Sequence, residues 1–243
     1  MSKITYIVLS LFFVSTTYAQ GLPSHSDLTK ALKEVVAQKN GGFSLNMWAT
    51  IVDRDGVVKV VTFSGENRGD QWPGSRVISA QKANTANAFS LPKLSLSTAN
   101  LFSAVQPGGS LYGLQHSNPV DTTVAYGGLA HNVGSSSDPM VEKKIGGVNV
   151  FGGGLALYSS SGKLLGAIGV SGDSSCADHN IAWKLRNLLK LDYVPAGVGP
   201  NKDDNIVNDI SKGKSAGGWG HPECTKASTS IAKDLPKIRK AAK

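Results

Sequence analysis

Only two cysteines stand in these 243 residues, aromatic side chains make up 7% and charged ones 17%, and the longest largely apolar run, Ile4 to Val14, is 11 residues. Two cysteines cannot build a disulfide-dense scaffold. Eleven residues fall short of the roughly 20 that a membrane-spanning helix needs. Glycine is frequent, at 28 residues, but shows no Gly-X-Y period, which excludes a collagen-like chain. Several chemistry-bearing motifs are missing too. No G-x-x-x-x-G-K-[ST] occurs, Gly152-Gly153-Gly154 lacks G-x-G-x-x-G spacing, and no C-x-x-C-H is present, so phosphate-loop, dinucleotide and c-type haem attachment readings fall away. Gly169-Val170-Ser171-Gly172-Asp173 has Asp173 where a nucleophile elbow needs glycine. What is present is 40% hydrophobic residue, enough to bury a core, and the length fits one globular domain.

Lys3, the apolar run and then Ser15-Thr16-Thr17-Tyr18-Ala19 have the order of a secretory signal peptide cleaved after Ala19. The expected organisation is a leader at 1–19, a domain at 20–190, and an extended C-terminal wrap of the same domain at 191–243. Localisation is then periplasmic or secreted, with no membrane span in the mature chain. Loss of Lys3 takes the formal charge from +8 to +7, which favours small anionic partners; export argues against nucleic acid.

Hydrophobic periodicity predicts a helix capped at Ser26-Asp27 with Leu28, Ala31, Leu32, Val35 and Val36 on one face, stopped by Asn40-Gly41-Gly42. A hairpin follows, Leu45 to Val52 and Val57 to Phe63 around Asp53-Arg54-Asp55-Gly56. Ser75 opens a helix over Arg76 to Ser90 whose small side chains suit close packing on a sheet. A shorter helix spans Thr98 to Val105. The irregular stretch to Gly147 is longer than compact domains usually tolerate and is a candidate wall of a binding site. A second hairpin, Val148 to Tyr158 and Leu164 to Ser171, precedes a helix with Ala177, Ile181, Ala182, Leu185, Leu188 and Leu189 inward. Two tightly turned strand pairs mean antiparallel pairing, hence an α+β fold with a central antiparallel sheet flanked by helices.

Cys176-Ala-Asp-His179 and His221-Pro-Glu-Cys224 pair a C-x-x-H with an H-x-x-C. Two readings stand: a disulfide between Cys176 and Cys224, favoured by an oxidising compartment, and a zinc site of Cys176, His179, His221 and Cys224, since zinc accepts two thiolates and two imidazoles. His179 also shares a helical face with Trp183, Arg186 and Lys190, placing a metal ligand, a flat ring and two cations in a row. That is the donor set a haem requires, and also the pattern of a solvated face. Lys82, amid small packing residues, points an ammonium at a ligand carboxylate or snorkels to water. His116 and His131 lie in the long loop.

Val52-Asp53-Arg54-Asp55-Gly56, Ile78 to Ala86, Phe151-Gly152-Gly153-Gly154-Leu155, and Gly166 to Gly172 followed by Asp178 resemble the GlcG/HbpS haem-binding family, collinearly over about Leu28 to Lys190. The resemblance implies a profilin-like fold, homo-oligomeric assembly and haem as ligand. Matched to its motifs are Lys82 and Thr85, Gly152 to Gly154, and Ser171, Gly172 and Asp178. His179, beside Asp178, is the expected haem-iron ligand, with Trp183 and Arg186 as further contacts and Gly153 close by. Three functions follow: an exported haem carrier or sensor accessory; an enzyme acting on haem or another small anionic metabolite; and a secreted structural protein stapled by its Cys/His cluster. No residue is assigned a catalytic role.

Overall fold

The computed structural model describes residues 21–241, so the leader read at 1–19 lies outside the described residues. Helix α1, His25–Val36, buries Leu28, Ala31, Leu32 and Val35 on one face. Its cap is Ser24, whose hydroxyl accepts from the Asp27 amide at 3.2 Å, two residues before the expected start. Strands β1, Trp48–Asp53, and β2, Val58–Phe63, form the first hairpin. Helix α2, Ser75–Phe89, follows, without a side-chain cap.

Thr98 to Val105 is not one α-helix but two 3-10 turns, Thr98–Leu101 and Ser103–Val105. Asn100 reaches back to the Ser97 amide at 3.0 Å, a local side-chain bond that competes with continued helix in so short a segment. The long irregular stretch carries α3, Leu114–Ser117, α4, Thr122–Tyr126, and a 3-10 turn at Ala130–Asn132. Strands β3, Gly154–Tyr158, and β4, Leu164–Ser171, make the second hairpin, and β3 starts later than expected because residues 148–153 approach the sheet as irregular chain. Helix α5, Ser175–Leu188, is followed by the small hairpin β5, Ile210–Ser211, with β6, Lys214–Ser215, and by α6, Lys226–Lys233.

The four long strands form one antiparallel sheet in the order β2-β1-β4-β3. Alternation gives each strand two buried faces. Met47, Ala49, Ile51, Leu155, Leu157, Ile168 and Val170 meet α1 and α5, whereas Trp48, Val52, Val61 and Ala167 meet α2. Register explains how closely α2 lies. Thr50, Gly169 and Gly154 are aligned across β1, β4 and β3. A Cβ on Gly169 would stand 2.5 Å from the Ala83 amide nitrogen, and one on Gly154 would stand 2.5 Å from the Lys82 carbonyl oxygen. Glycine at these two positions therefore lets the α2 backbone rest on the sheet, and the small residues Ser79, Ala80 and Ala83 of α2 complete the fit. Each large side chain buried in these layers contributes about 1.5–3 kcal/mol of hydrophobic stabilisation.

Residues 191–241 run back over the outer side of α5. Ile206 and Ala232 pack with Cys176 and Ala99, and Leu235 and Ile238 reach the main core. Cys176 and Cys224 form a disulfide that closes this wrap onto the first turn of α5. Covering α5 on both sides reverses one expectation: Leu188 is 40% exposed, while Arg186 is fully buried. Among the described residues no helix is long and apolar enough to cross a membrane.

Candidate functional site

The stripe on α5 is a closed seam. His179, Trp183 and Arg186 are all buried beneath the C-terminal segment. His179 Nε2 lies 3.1 Å from Asn205 Oδ1 and 3.1 Å from the Ile206 amide, while its Nδ1 is buried without a hydrogen-bond partner. Burial pushes this imidazole down to about 4 despite the pull of the Asp204 carboxylate. Trp183 donates from Nε1 to the Pro236 carbonyl at 2.8 Å, and the Arg186 guanidinium stacks 4.8 Å from its ring centroid. Both terminal nitrogens of Arg186 donate to Asp204, each at 2.7 Å, and the Ser95 hydroxyl donates to the same carboxylate at 2.6 Å. Burial alone would raise the Asp204 carboxyl, but Arg186 and Ser95 hold it below its ordinary value. His179 thus presents neither ring face nor Nε2 to a ligand in this form. Sequence reasoning missed Asp204 and Asn205 because nothing about the spacing links them to α5.

The motif residues around Asp178, in the first turn of α5, meet one another rather than an opening. Lys82 Nζ donates to Asp178 Oδ2 at 2.7 Å and to the Val170 carbonyl at 3.1 Å, with both side chains buried. Asp178 Oδ1 accepts from the Asp173 amide at 2.9 Å. Burial pushes the Asp178 carboxyl up to about 6, against the opposing pull of the Lys82 ammonium. Gly153 has φ +118°, and a Cβ there would lie 3.0 Å from Asp178 Cβ and 3.2 Å from Lys82 Nζ, so a glycine with left-handed backbone leaves the pair its space. Ser171 pairs across the sheet with Trp48 and is buried. Thr85 donates to the Gln81 carbonyl at 2.7 Å and accepts from the Asn149 amide at 3.0 Å, fixing the chain that enters β3. Lys82 thus neither snorkels nor awaits an external carboxylate; its partner is internal.

The four-residue zinc set is not assembled. Cys176, His221 and Cys224 lie together, their ligand atoms within 4.8 Å of one another, but His179 faces Asn205 instead, and the two thiols are joined as the disulfide. His116 and His131 are exposed.

A cleft of about 350 Å³ opens on the far side of the molecule, over the α2 face of the sheet. Trp48, Pro73, Val77, Ala130 and Val133 supply apolar walls, and Arg68, Arg76 and Tyr126 the polar groups. The long irregular stretch forms one wall, held by a buried ion pair. Arg76 donates from Nε to Asp138 Oδ2 at 2.8 Å and from Nη1 to the Ala125 carbonyl at 2.9 Å, and Asp138 accepts from the Gly134 and Met140 amides at 2.7 and 2.9 Å. Tyr126, at the end of α4, is 71% exposed and is the one side chain among the lining residues with an atom able to ligate iron. A cleft with apolar walls, a phenol and an exposed guanidinium can hold an anionic, metal-bearing ligand.

Comparison with solved structures finds matches at low identity. A PduOC:haem complex is 28% identical, covering 69% of this chain and 94% of its own, with a TM-score of 0.47. The Klebsiella pneumoniae protein ORFY is 22% identical over 71% and 94%, at 0.46, and HbpS is 18% identical over 72% and 94%, at 0.42. No curated protein matches. Residues 24–185 match the family described as haem degrading protein HbpS-like. That span takes in α1, the whole four-stranded sheet, α2 and nearly all of α5, and the chain belongs to the HbpS-like family.

Proposed function

We propose that this chain is an exported haem-binding protein, acting as a carrier or sensor accessory and assembling as a homo-oligomer. The observation that carries the reading is the family match over residues 24–185. The formal charge of +7 that remains without Lys3 and the disulfide agree with an exported protein that takes an anionic ligand.

Haem requires an iron ligand, planar apolar contact and cations for its propionates. The α5 seam does not fit, because admitting a porphyrin at His179 would displace Asp203 to Ile206 and strip Arg186 of its carboxylate. The cleft does. Tyr126 would hold the iron, Arg68 the propionates, and Pro73, Ala130 and Val133 the ring. Bound there, haem would supply redox and oxygen chemistry; the residues themselves bind, orient and shield it. In this reading Lys82, Thr85, Gly153, Ser171 and Asp178 position the sheet and α2 beneath the cleft rather than touching the ligand.

Haem titrated into the protein should give a shifted Soret band that saturates at a fixed ratio, with light scattering giving the size of the complex. Tyr126→Phe should change the spectrum, Arg68→Ala should weaken binding, and His179→Ala should do neither. Haem that stays spectrally free at micromolar protein sinks the haem reading, and a spectrum altered by His179→Ala but not by Tyr126→Phe sinks the cleft. Bleaching of the Soret band with reductant and oxygen, with iron released, would move the assignment from carrier to haem-degrading enzyme.

A further inference from the structure

The disulfide is built into more than a staple requires. His221 is buried against it, 2% exposed, with its ring 5.1 Å from that of Phe102. Its Nδ1 lies 2.8 Å from the Pro222 carbonyl, an oxygen that can only accept, so Nδ1 carries the proton and Nε2 is left as a lone pair. That lone pair points at the Ser175 hydroxyl, 3.2 Å away, which itself lies 3.5 Å from Cys224 Sγ. The Cys176 amide, in the first turn of α5, donates to Cys224 Sγ at 3.3 Å. A backbone N–H at a helix N-terminus, together with a hydroxyl, favours the thiolate over the thiol. The imidazole held by a carbonyl is the arrangement that orients histidine ligands in metal centres.

We propose that Cys176, Cys224 and His221 form a redox-gated zinc site, closed as a disulfide when oxidised and ligating one Zn²⁺ when reduced. The reductant would be a dithiol: two of its thiol hydrogens pass to the two cysteine sulfurs as it becomes a disulfide, and zinc binding then releases both protons as the thiolates coordinate. Tetrahedral zinc with Zn–S near 2.3 Å and Zn–N near 2.0 Å needs ligand atoms roughly 3.5–4 Å apart. The two sulfurs, bonded to each other in the disulfide, must first separate to that distance, and the His221 ring nitrogen already lies within 4.8 Å of both. The fourth position falls to water or to the Ser175 hydroxyl. Ala99, Ile206 and Ala232 wall the cluster, while Cys224 is only half-buried and open to a reductant.

The site survives opening of the disulfide because other bonds hold the wrap. The His221 amide donates to the Val207 carbonyl at 2.8 Å, Asn208 donates to the His221 carbonyl at 3.1 Å, and Asp204 stays paired with Arg186. The zinc would take over the covalent staple's role of joining the wrap to α5. Nothing here depends on haem.

The test is Co²⁺ titration of the full chain after anaerobic phosphine reduction, followed by displacement with Zn²⁺ and by far-UV circular dichroism. Reduced protein should take up one equivalent with thiolate-to-cobalt charge-transfer and tetrahedral d–d bands, and oxidised protein none. His221→Ala should weaken zinc on the order of tenfold or more with its circular dichroism intact, whereas the exposed His131→Ala should not. No stoichiometric uptake by the folded, reduced chain overturns the proposal, as does wild-type affinity in His221→Ala. A chain that loses its native spectrum on reduction and does not regain it with zinc overturns it equally.

Discussion

Removing the disulfide by Cys176→Ala/Cys224→Ala tests how the C-terminal segment is held. The bridged residues are 48 apart in sequence. In the chain-entropy account, closing a loop of that length removes about 2.1 + 1.5R ln n cal/mol/K from the unfolded state, which at 25 °C is about 4 kcal/mol. For a domain of this size, 1 kcal/mol moves the melting temperature by roughly 2–4 °C, so the variant should melt about 8–16 °C lower than the oxidised protein. Calorimetry reads both the shift and its shape. One transition is expected, because Arg186–Asp204, the Trp183 bond to Pro236 and the Arg239 bond to the Asn187 carbonyl tie the segment to α5 independently of the sulfurs. A drop smaller than about 2 °C would refute the loop-closure argument. A separate low-temperature transition would refute the claim that residues 191–241 belong to the same cooperative unit.

Acidification should destabilise the fold in a defined window. His179 and His221 are both held near 4 by burial, so they stay neutral in the fold while the unfolded chain protonates them below about 6.5; stability present above pH 6.5 is lost as pH falls toward 4, about 3 kcal/mol for each. Asp178, raised to about 6, acts in the opposite sense, holding a proton in the fold that the unfolded chain releases down to its ordinary range, and offsets part of the loss. Urea midpoints that do not change between pH 7 and 4.5 would contradict this. Lys82→Met strands a buried carboxylate and should cost about 3–5 kcal/mol, with much of it recovered in Lys82→Met/Asp178→Asn; a single variant as stable as the parent would show that the pair is not dry. Gly169→Ala drives a methyl into the α2 backbone and should cost about 3 kcal/mol or more in denaturant melts, whereas Gly74→Ala, with open space around it, should stay within about 0.5 kcal/mol.

The sheet and its flanking helices were legible because their signals are local. Apolar, β-branched runs around tight turns mark the two hairpins, and Leu28, Ala31, Leu32 and Val35 mark α1 at helical spacing. The disulfide was legible from the isolated cysteine pair and the export that the leader at 1–19 led us to expect. The cleft was not: its wall depends on Arg76 finding Asp138, 62 residues away, and no periodicity records that pairing. Nor does spacing alone reveal that Tyr126 ends a five-residue helix at the mouth of that cleft, since α4 is set by a single Asp121 cap within a stretch that reads as loop.

The α5 stripe shows why spacing misled. His179 and Arg186 on that face, and Asn180 beside it, look solvated, because burying three polar groups without partners would cost several kcal/mol. Their partners exist, but in segments remote in sequence: Asn205 for His179, Asp204 for Arg186, and the Asn40 and Ser228 carbonyls for Asn180 at 3.0 and 3.1 Å. Apart from Asn40, these all lie beyond residue 185, where the family match ends. The polar outer face of α5 and the polar inner face of residues 191–241 are therefore intelligible only as a pair, each supplying the hydrogen bonds that make burial of the other tolerable. The disulfide and the Cys176, His221 and Cys224 cluster sit at that same junction, so the redox state of two sulfurs bears directly on the part of the molecule that the family match does not cover.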